Sequence, residues 1–94
     1  MSIYLTAIVK SKETTTAALK AVLLDMVANS RKEEACIQYD LHESVSDRTF
    51  IFQEEWKDQL GLDAHNKQPY ILSFVEQAAT LTDDIIIYKT EKLA

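Results

Sequence analysis

The stretch from Cys36 to Tyr70 holds both histidines of the chain, its only tryptophan and two of its four tyrosines. A histidine titrates near pH 6.5 and so takes or gives a proton at neutral pH, which makes His65 and His42 the first candidates for acid–base chemistry. Trp56 and Tyr70 offer flat rings with one polar handle each, suited to lining a pocket or bonding a ligand. The carboxylates Glu54 and Glu55 are adjacent and therefore point to opposite faces of a strand. That spacing argues against a pair doing acid–base work on one substrate. No HExxH-like spacing is present, and the single cysteine rules out a cysteine-based zinc cluster, so no metal site is expected. Gly61 is the only glycine, which leaves no Gly-rich phosphate loop. Nothing beside Cys36 obviously lowers its pKa, and it reads as a small buried hydrophobe rather than a nucleophile.

The elements that must position these residues follow from hydrophobic periodicity. Ile3 to Val9 is a strand with apolar residues on both faces. Thr14, Thr15 or Thr16 is placed to cap a helix through about Arg31, in which Leu19, Val22, Leu23 and Met26 form one stripe. Cys36 to Glu43 alternates, with Ile37, Tyr39 and Leu41 on one face and Cys36, Gln38, Asp40 and His42 on the other. Ser44 to Asp47 turns the chain into a returning strand, Arg48 to Trp56, as expected of an antiparallel hairpin. Asp58 can cap a short helix to about Asn66, which carries His65, although Gly61 weakens it by roughly 1 kcal/mol. Pro69 suits the first turn of a further helix with a stripe of Ile71, Phe74, Val75, Ala78 and Leu81. Asp83 and Asp84 are expected to break that helix before a last strand, Ile85 to Lys92.

The order is β-α-β-β-α-β, the ferredoxin-like pattern of the α+β class: one domain over residues 1–94, with a four-stranded antiparallel sheet and its helices on one face. Several strands are apolar on both sides, including Ile85-Ile86-Ile87. One helical layer covers only one face, so the open face is expected to be buried against a second copy in a two-fold homodimer.

Composition narrows the partners. A net charge of −5, with ten Lys and Arg scattered among fifteen acids, does not suit nucleic acid or an anionic membrane. No apolar run approaches the roughly 20 residues of a membrane span, and the first residues lack the basic start of a signal peptide. A cytoplasmic protein is expected.

The runs CIQYDLHES, TFIFQEEW and KDQLGLDAHNKQPYILSF resemble the antibiotic biosynthesis monooxygenase domain. Its members show a Cys-x-x-Tyr-x-x-His strand, matched by Cys36, Tyr39 and His42, and a Glu-x-Trp strand end, matched by Glu54 and Trp56. Their Leu-x-Ala-His helix is matched by Leu62, Ala64 and His65. The resemblance spans the chain and implies a dimeric α+β barrel with a pocket between sheet and helices. It also implies an oxygenase that oxidises a small quinol or phenol with molecular oxygen and no cofactor, although relatives also isomerise small metabolites or degrade haem. Two departures stand out. Tyr70 replaces the family's second histidine with Ile71 after it, and Glu55 precedes Trp56 where a small apolar residue is usual. Haem-degrading relatives carry an asparagine and a tryptophan where Thr6 or its neighbours and His65 stand here, which disfavours that chemistry.

The resemblance makes His65 the expected catalytic base, since a phenolate is what reduces oxygen; the plainer role is a histidine packing a helix end. Tyr70, Trp56 and Phe74 are the expected substrate-binding residues, each with core packing as its alternative. Tyr39 reads as sheet packing and His42 as an interface or solvent residue. The other functional classes are a non-enzymatic binding module on the same dimer and an isomerase of a small oxygenated metabolite.

Overall fold

The computed structural model describes all residues from 1 to 94 in seven elements: β1 (Ile3–Ser11), α1 (Thr16–Ser30), β2 (Cys36–Glu43), β3 (Thr49–Trp56), α2 (Gln59–Asn66), α3 (Pro69–Leu81) and β4 (Thr82–Thr90). The strands pair antiparallel in the order β2-β3-β1-β4, a ferredoxin-like α+β sheet. Strand alternation turns Ala7 and Val9 of β1, Phe50, Phe52 and Trp56 of β3, and Tyr39 of β2 to one face. There they pack with Leu19, Leu23 and Met26 of α1 and with Ile71 and Phe74 of α3. Trp56 is fully buried and Phe50 nearly so. Burial of an aromatic of this size stabilises the fold by about 2–3 kcal/mol.

Three local expectations are corrected. The strict alternation drawn for β2 fails at its start, where the pairing with β3 shifts between Cys36 and Gln38. Cys36 therefore pairs with Trp56 and packs on the core, while Ile37 is turned out and 55% exposed. Such an irregularity inserts one unpaired residue and re-aims its neighbours. Thr15 stands at the start of α1 but does not bond its first-turn amides. Its Oγ1 accepts from the Lys12 N–H at 3.0 Å and donates to the Leu81 carbonyl at 2.7 Å, tying the start of α1 to the end of α3. Arg31, just past the last turn of α1, reaches β2, donating from Nε to the Tyr39 carbonyl at 3.0 Å. Lastly, Asp83 and Asp84 belong to β4, which follows α3 directly. The stop comes from Thr82, which is extended and donates its hydroxyl to the Ala78 carbonyl at 2.7 Å.

The other face of the sheet carries Tyr4 and Ile8 of β1, Ile51 of β3, and Ile86 and Tyr88 of β4, by the registers Ile8 to Ile51 and Ile8 to Ile86. No helix lies on it. Ile86 is 40% and Tyr88 52% exposed. Its polar contribution includes Thr6, which donates to Gln53 Oε1 at 2.9 Å.

Candidate active site

Local sequence explains how His65 reaches its place. The Asp58 carboxylate accepts the Gly61 N–H at 2.8 Å and starts α2. A Cβ on Gly61 would collide with the Cβ of Ala35, so the glycine lets α2 close onto the loop between α1 and β2. His65 lies four residues after Gly61, on the same side of the helix. It meets the same loop at Glu33. The loop is held in turn by the Glu33 N–H on the Ser30 carbonyl and the Cys36 N–H on the Glu33 carbonyl, at 3.0 and 3.1 Å.

His65 is 4% exposed. Its Nδ1 lies 2.7 Å from Glu33 Oε2, and the same oxygen accepts a short hydrogen bond from the Tyr70 hydroxyl. That hydroxyl is also 3.1 Å from Ser30 Oγ and 3.4 Å from His65 Nδ1. A carboxylate is acceptor-only, so it fixes the proton of a neutral imidazole on Nδ1 and leaves Nε2 bare. The ring is braced by Trp56, with centroids 4.3 Å apart, and by Tyr39 edge-on at 5.6 Å. Burial lowers the His65 pKa; the Glu33 carboxylate opposes this, and the net shift is downward. Burial, and then the bond to Glu33, push the Tyr70 hydroxyl far above the ordinary phenol value, so it serves as a hydrogen-bond donor and not as a base.

Beside His65 lies a cavity of about 260 Å³ between the sheet and the helices. Apart from Glu54, His65 and Asn66 its walls are aliphatic and aromatic. Val75 of α3 and Ile87 of β4 line it while remaining 64% and 63% exposed, which places its mouth between those two elements. Glu54 is 8% exposed, and its Oε1 accepts the Trp56 Nε1–H at 2.9 Å. Burial pushes its carboxyl up to about 7, with the Trp56 bond opposing.

The structure brings His65, Tyr70 and Trp56 together around one imidazole. Phe74 lies on the cavity wall with His65. Trp56 and Tyr70 are not on that wall: Trp56 stands behind the imidazole, and Tyr70 holds Glu33. His42 is exposed on β2, away from this group. Sequence reasoning missed Glu33, which sits among the loop charges Arg31, Lys32 and Glu34 with no periodicity to single it out. Glu54 is weighed there only as a partner for Glu55 and as part of the Glu-x-Trp strand end, with no role in the site. The side-chain alternation of Glu54 with Trp56 was the available signal that it faces inward. No group of three or more His, Cys, Asp or Glu side chains is arranged to hold a metal ion, and no helix is long and apolar enough to cross a membrane.

Residues 2–77 match the sequence profile of the family described as antibiotic biosynthesis monooxygenase. A Mycobacterium tuberculosis protein named "Putative monooxygenase Rv0793" is 33% identical over 64 residues, 68% of this chain and 63% of that one. "Putative monooxygenase YcnE" of Bacillus subtilis is 39% identical over 57 residues, 60% of each chain. The matched stretches thus span about three fifths of these relatives. The crystal structure of PA3566 from Pseudomonas aeruginosa superposes with a TM-score of 0.94 at 31% identity, covering 99% of this chain and 95% of that one.

Proposed function

The chain belongs to the antibiotic biosynthesis monooxygenase family, and from that premise we propose that it is a cofactor-independent monooxygenase of a small aromatic quinol or phenol. The observation that carries the reading is the state of His65. Its Nδ1 is tied to Glu33, and Nε2 has no partner in the protein. No side-chain nitrogen or oxygen is both fully buried and unpartnered, so Nε2 keeps some exposed surface, on a residue that lines the cavity, and in this reading it is the atom offered to the ligand. The lowered His65 pKa keeps the imidazole neutral and ready to accept a proton at pH 7.

In this reading Nε2 takes the hydroxyl proton of a bound phenol. The resulting phenolate is electron-rich at its ortho and para carbons and reduces molecular oxygen. A carbon–oxygen bond forms at such a ring C–H and gives a hydroperoxide. Loss of that C–H proton makes the ring C=O as the O–O bond breaks, and the departing hydroxide takes a proton to leave as water. One phenol and one dioxygen thus yield one quinone and one water. Glu33 stabilises the imidazolium that forms, while Tyr70 and Trp56 are positioning residues that hold Glu33 and the ring. Phe74 supplies the flat apolar contact. The cavity lies just below the ~300–1,000 Å³ of pockets for drug-sized ligands, which suits one or two fused rings. Its wall carries no Lys or Arg, which does not suit a phosphorylated metabolite.

The working form is proposed to be a homodimer that covers the open sheet face, whose exposed Ile86 and Tyr88 are otherwise left to water. The function is tested by oxygen uptake from 1-naphthol by chelator-treated protein. Uptake above buffer with formation of 1,4-naphthoquinone supports it, and uptake equal to buffer leaves a binding module instead.

A further inference from the structure

Glu54 is the second ionisable group on the cavity wall, and the chemistry above does not use it. Its Oε1 is occupied by Trp56 Nε1–H at 2.9 Å, which fixes the plane and direction of the carboxyl. Oε2 makes no hydrogen bond within the protein. Since no unpartnered side-chain oxygen is fully buried, Oε2 keeps some exposed surface, and Glu54 is one of the residues that line the cavity. Trp56 also braces His65, with ring centroids 4.3 Å apart. Glu54 and His65 therefore flank one fully buried indole and line the same largely apolar cavity, each with one polar atom free of any protein partner. A ligand with a single oxygen satisfies one of them and leaves the other unpaired in apolar surroundings, which costs affinity.

We propose that Glu54 is a ligand-contacting, specificity-determining residue that hydrogen-bonds a second oxygen of the ligand, so that the ligand class is a small aromatic with two oxygen functions. This rests on the reading of the cavity as an aromatic phenol site and sharpens it. Trp56 takes its part by holding Oε1, so that the ligand meets Oε2. The carboxyl, raised to about 7 by burial, supplies either a donor or an acceptor near neutral pH and so accepts a hydroxyl or a carbonyl as the second oxygen.

The test is calorimetric binding of 1,4-dihydroxynaphthalene and 1-naphthol under argon at pH 7, with no oxygen to turn them over. The wild-type protein is expected to bind the dihydroxy compound about three- to tenfold more tightly, the range for one net hydrogen bond. Glu54→Gln keeps an acceptor for Trp56 and a donor toward the ligand, so it retains the preference. Glu54→Met, which removes the oxygen that 1-naphthol leaves unpaired, loses the preference while binding 1-naphthol at least as tightly as wild type, which also shows that the variant is folded. Equal binding of the two compounds by wild type overturns the role of Glu54 whether or not the methionine variant folds. A preference lost in Glu54→Gln or kept in Glu54→Met overturns it as well. Failure of wild type to bind either compound overturns both this role and the phenol-site reading beneath it.

Discussion

Nδ1 of His65 lies 2.7 Å from Oε2 of Glu33, a residue 32 positions earlier in the loop between α1 and β2. A short helix and a loop thus make one unit, in which the carboxylate sets the tautomer and the orientation of the imidazole. Glu33 raises the His65 pKa against the pull of burial. Replacing it with alanine is therefore expected to lower that pKa further, as read by NMR titration of the ring protons. Oxygen uptake should fall at least roughly tenfold, because the imidazolium loses its partner. A His65 pKa that rises or stays put in Glu33→Ala would show that the pair is not coupled in this way.

Tyr70 donates to the same oxygen. Tyr70→Phe keeps the ring and removes the donor, at a cost of about 1 kcal/mol in stability by denaturant unfolding. Its effect on uptake should be smaller than that of Glu33→Ala, since the acceptor for Nδ1 remains. A loss of rate as large as that of His65→Ala would instead make Tyr70 a catalytic residue.

Gly61 gives a prediction opposite in sign to helix propensity. Alanine in an exposed helix interior normally gains about 1 kcal/mol over glycine. Here the added Cβ meets Ala35 Cβ, and overpacking of this kind typically costs 1–3 kcal/mol. Gly61→Ala should thus be less stable than wild type, and Ala35→Gly in the same chain should recover part of the loss. A stabilised Gly61→Ala would mean that α2 does not approach the loop this closely.

Glu54 links stability to pH. Its carboxyl is raised from 4.5 to about 7 in the folded protein, first by burial. Between those values the folded chain holds a proton that the unfolded chain has released. The associated stability is complete below about pH 4.5, declines as pH rises through 7 and is gone above it. The interval corresponds to roughly 3 kcal/mol. Urea midpoints of wild type should fall across this range relative to those of Glu54→Gln, and parallel curves for the two proteins would contradict the assignment.

The open face predicts a dimer. Light scattering at micromolar concentration should give twice 10.7 kDa, and Ile86→Lys, which places a charge on that face beside Ile8, should give the monomer. A wild-type monomer would remove the covered face.

The order of the elements is legible in the sequence because each announces itself by local physics. The stripe Leu19, Leu23 and Met26, the Asp58 cap and Pro69 at the start of α3 all act within a few residues. The site is legible only in part. His65 and Phe74 stand out by residue type and by helix position. Glu33 does not, because its role depends on a loop brought to α2 by the contact of Gly61 with Ala35, and no local pattern encodes a contact between chain segments that far apart. The turn of Ile37 out of β2 is hidden for a related reason: the alternation of residues continues unbroken through a point where the pairing slips. By type Trp56 suits a substrate contact, whereas its ring packs on the imidazole of His65, with centroids 4.3 Å apart.

In the proposed reaction His65 Nε2 accepts the proton of a bound phenol. Its most direct test is oxygen uptake with 1-naphthol by chelator-treated wild type, His65→Ala and His65→Gln at equal concentration. Uptake above buffer is expected in wild type, with a loss of at least roughly tenfold in both variants and 1-naphthol binding retained in His65→Gln. Uptake that is undiminished in either variant would contradict it.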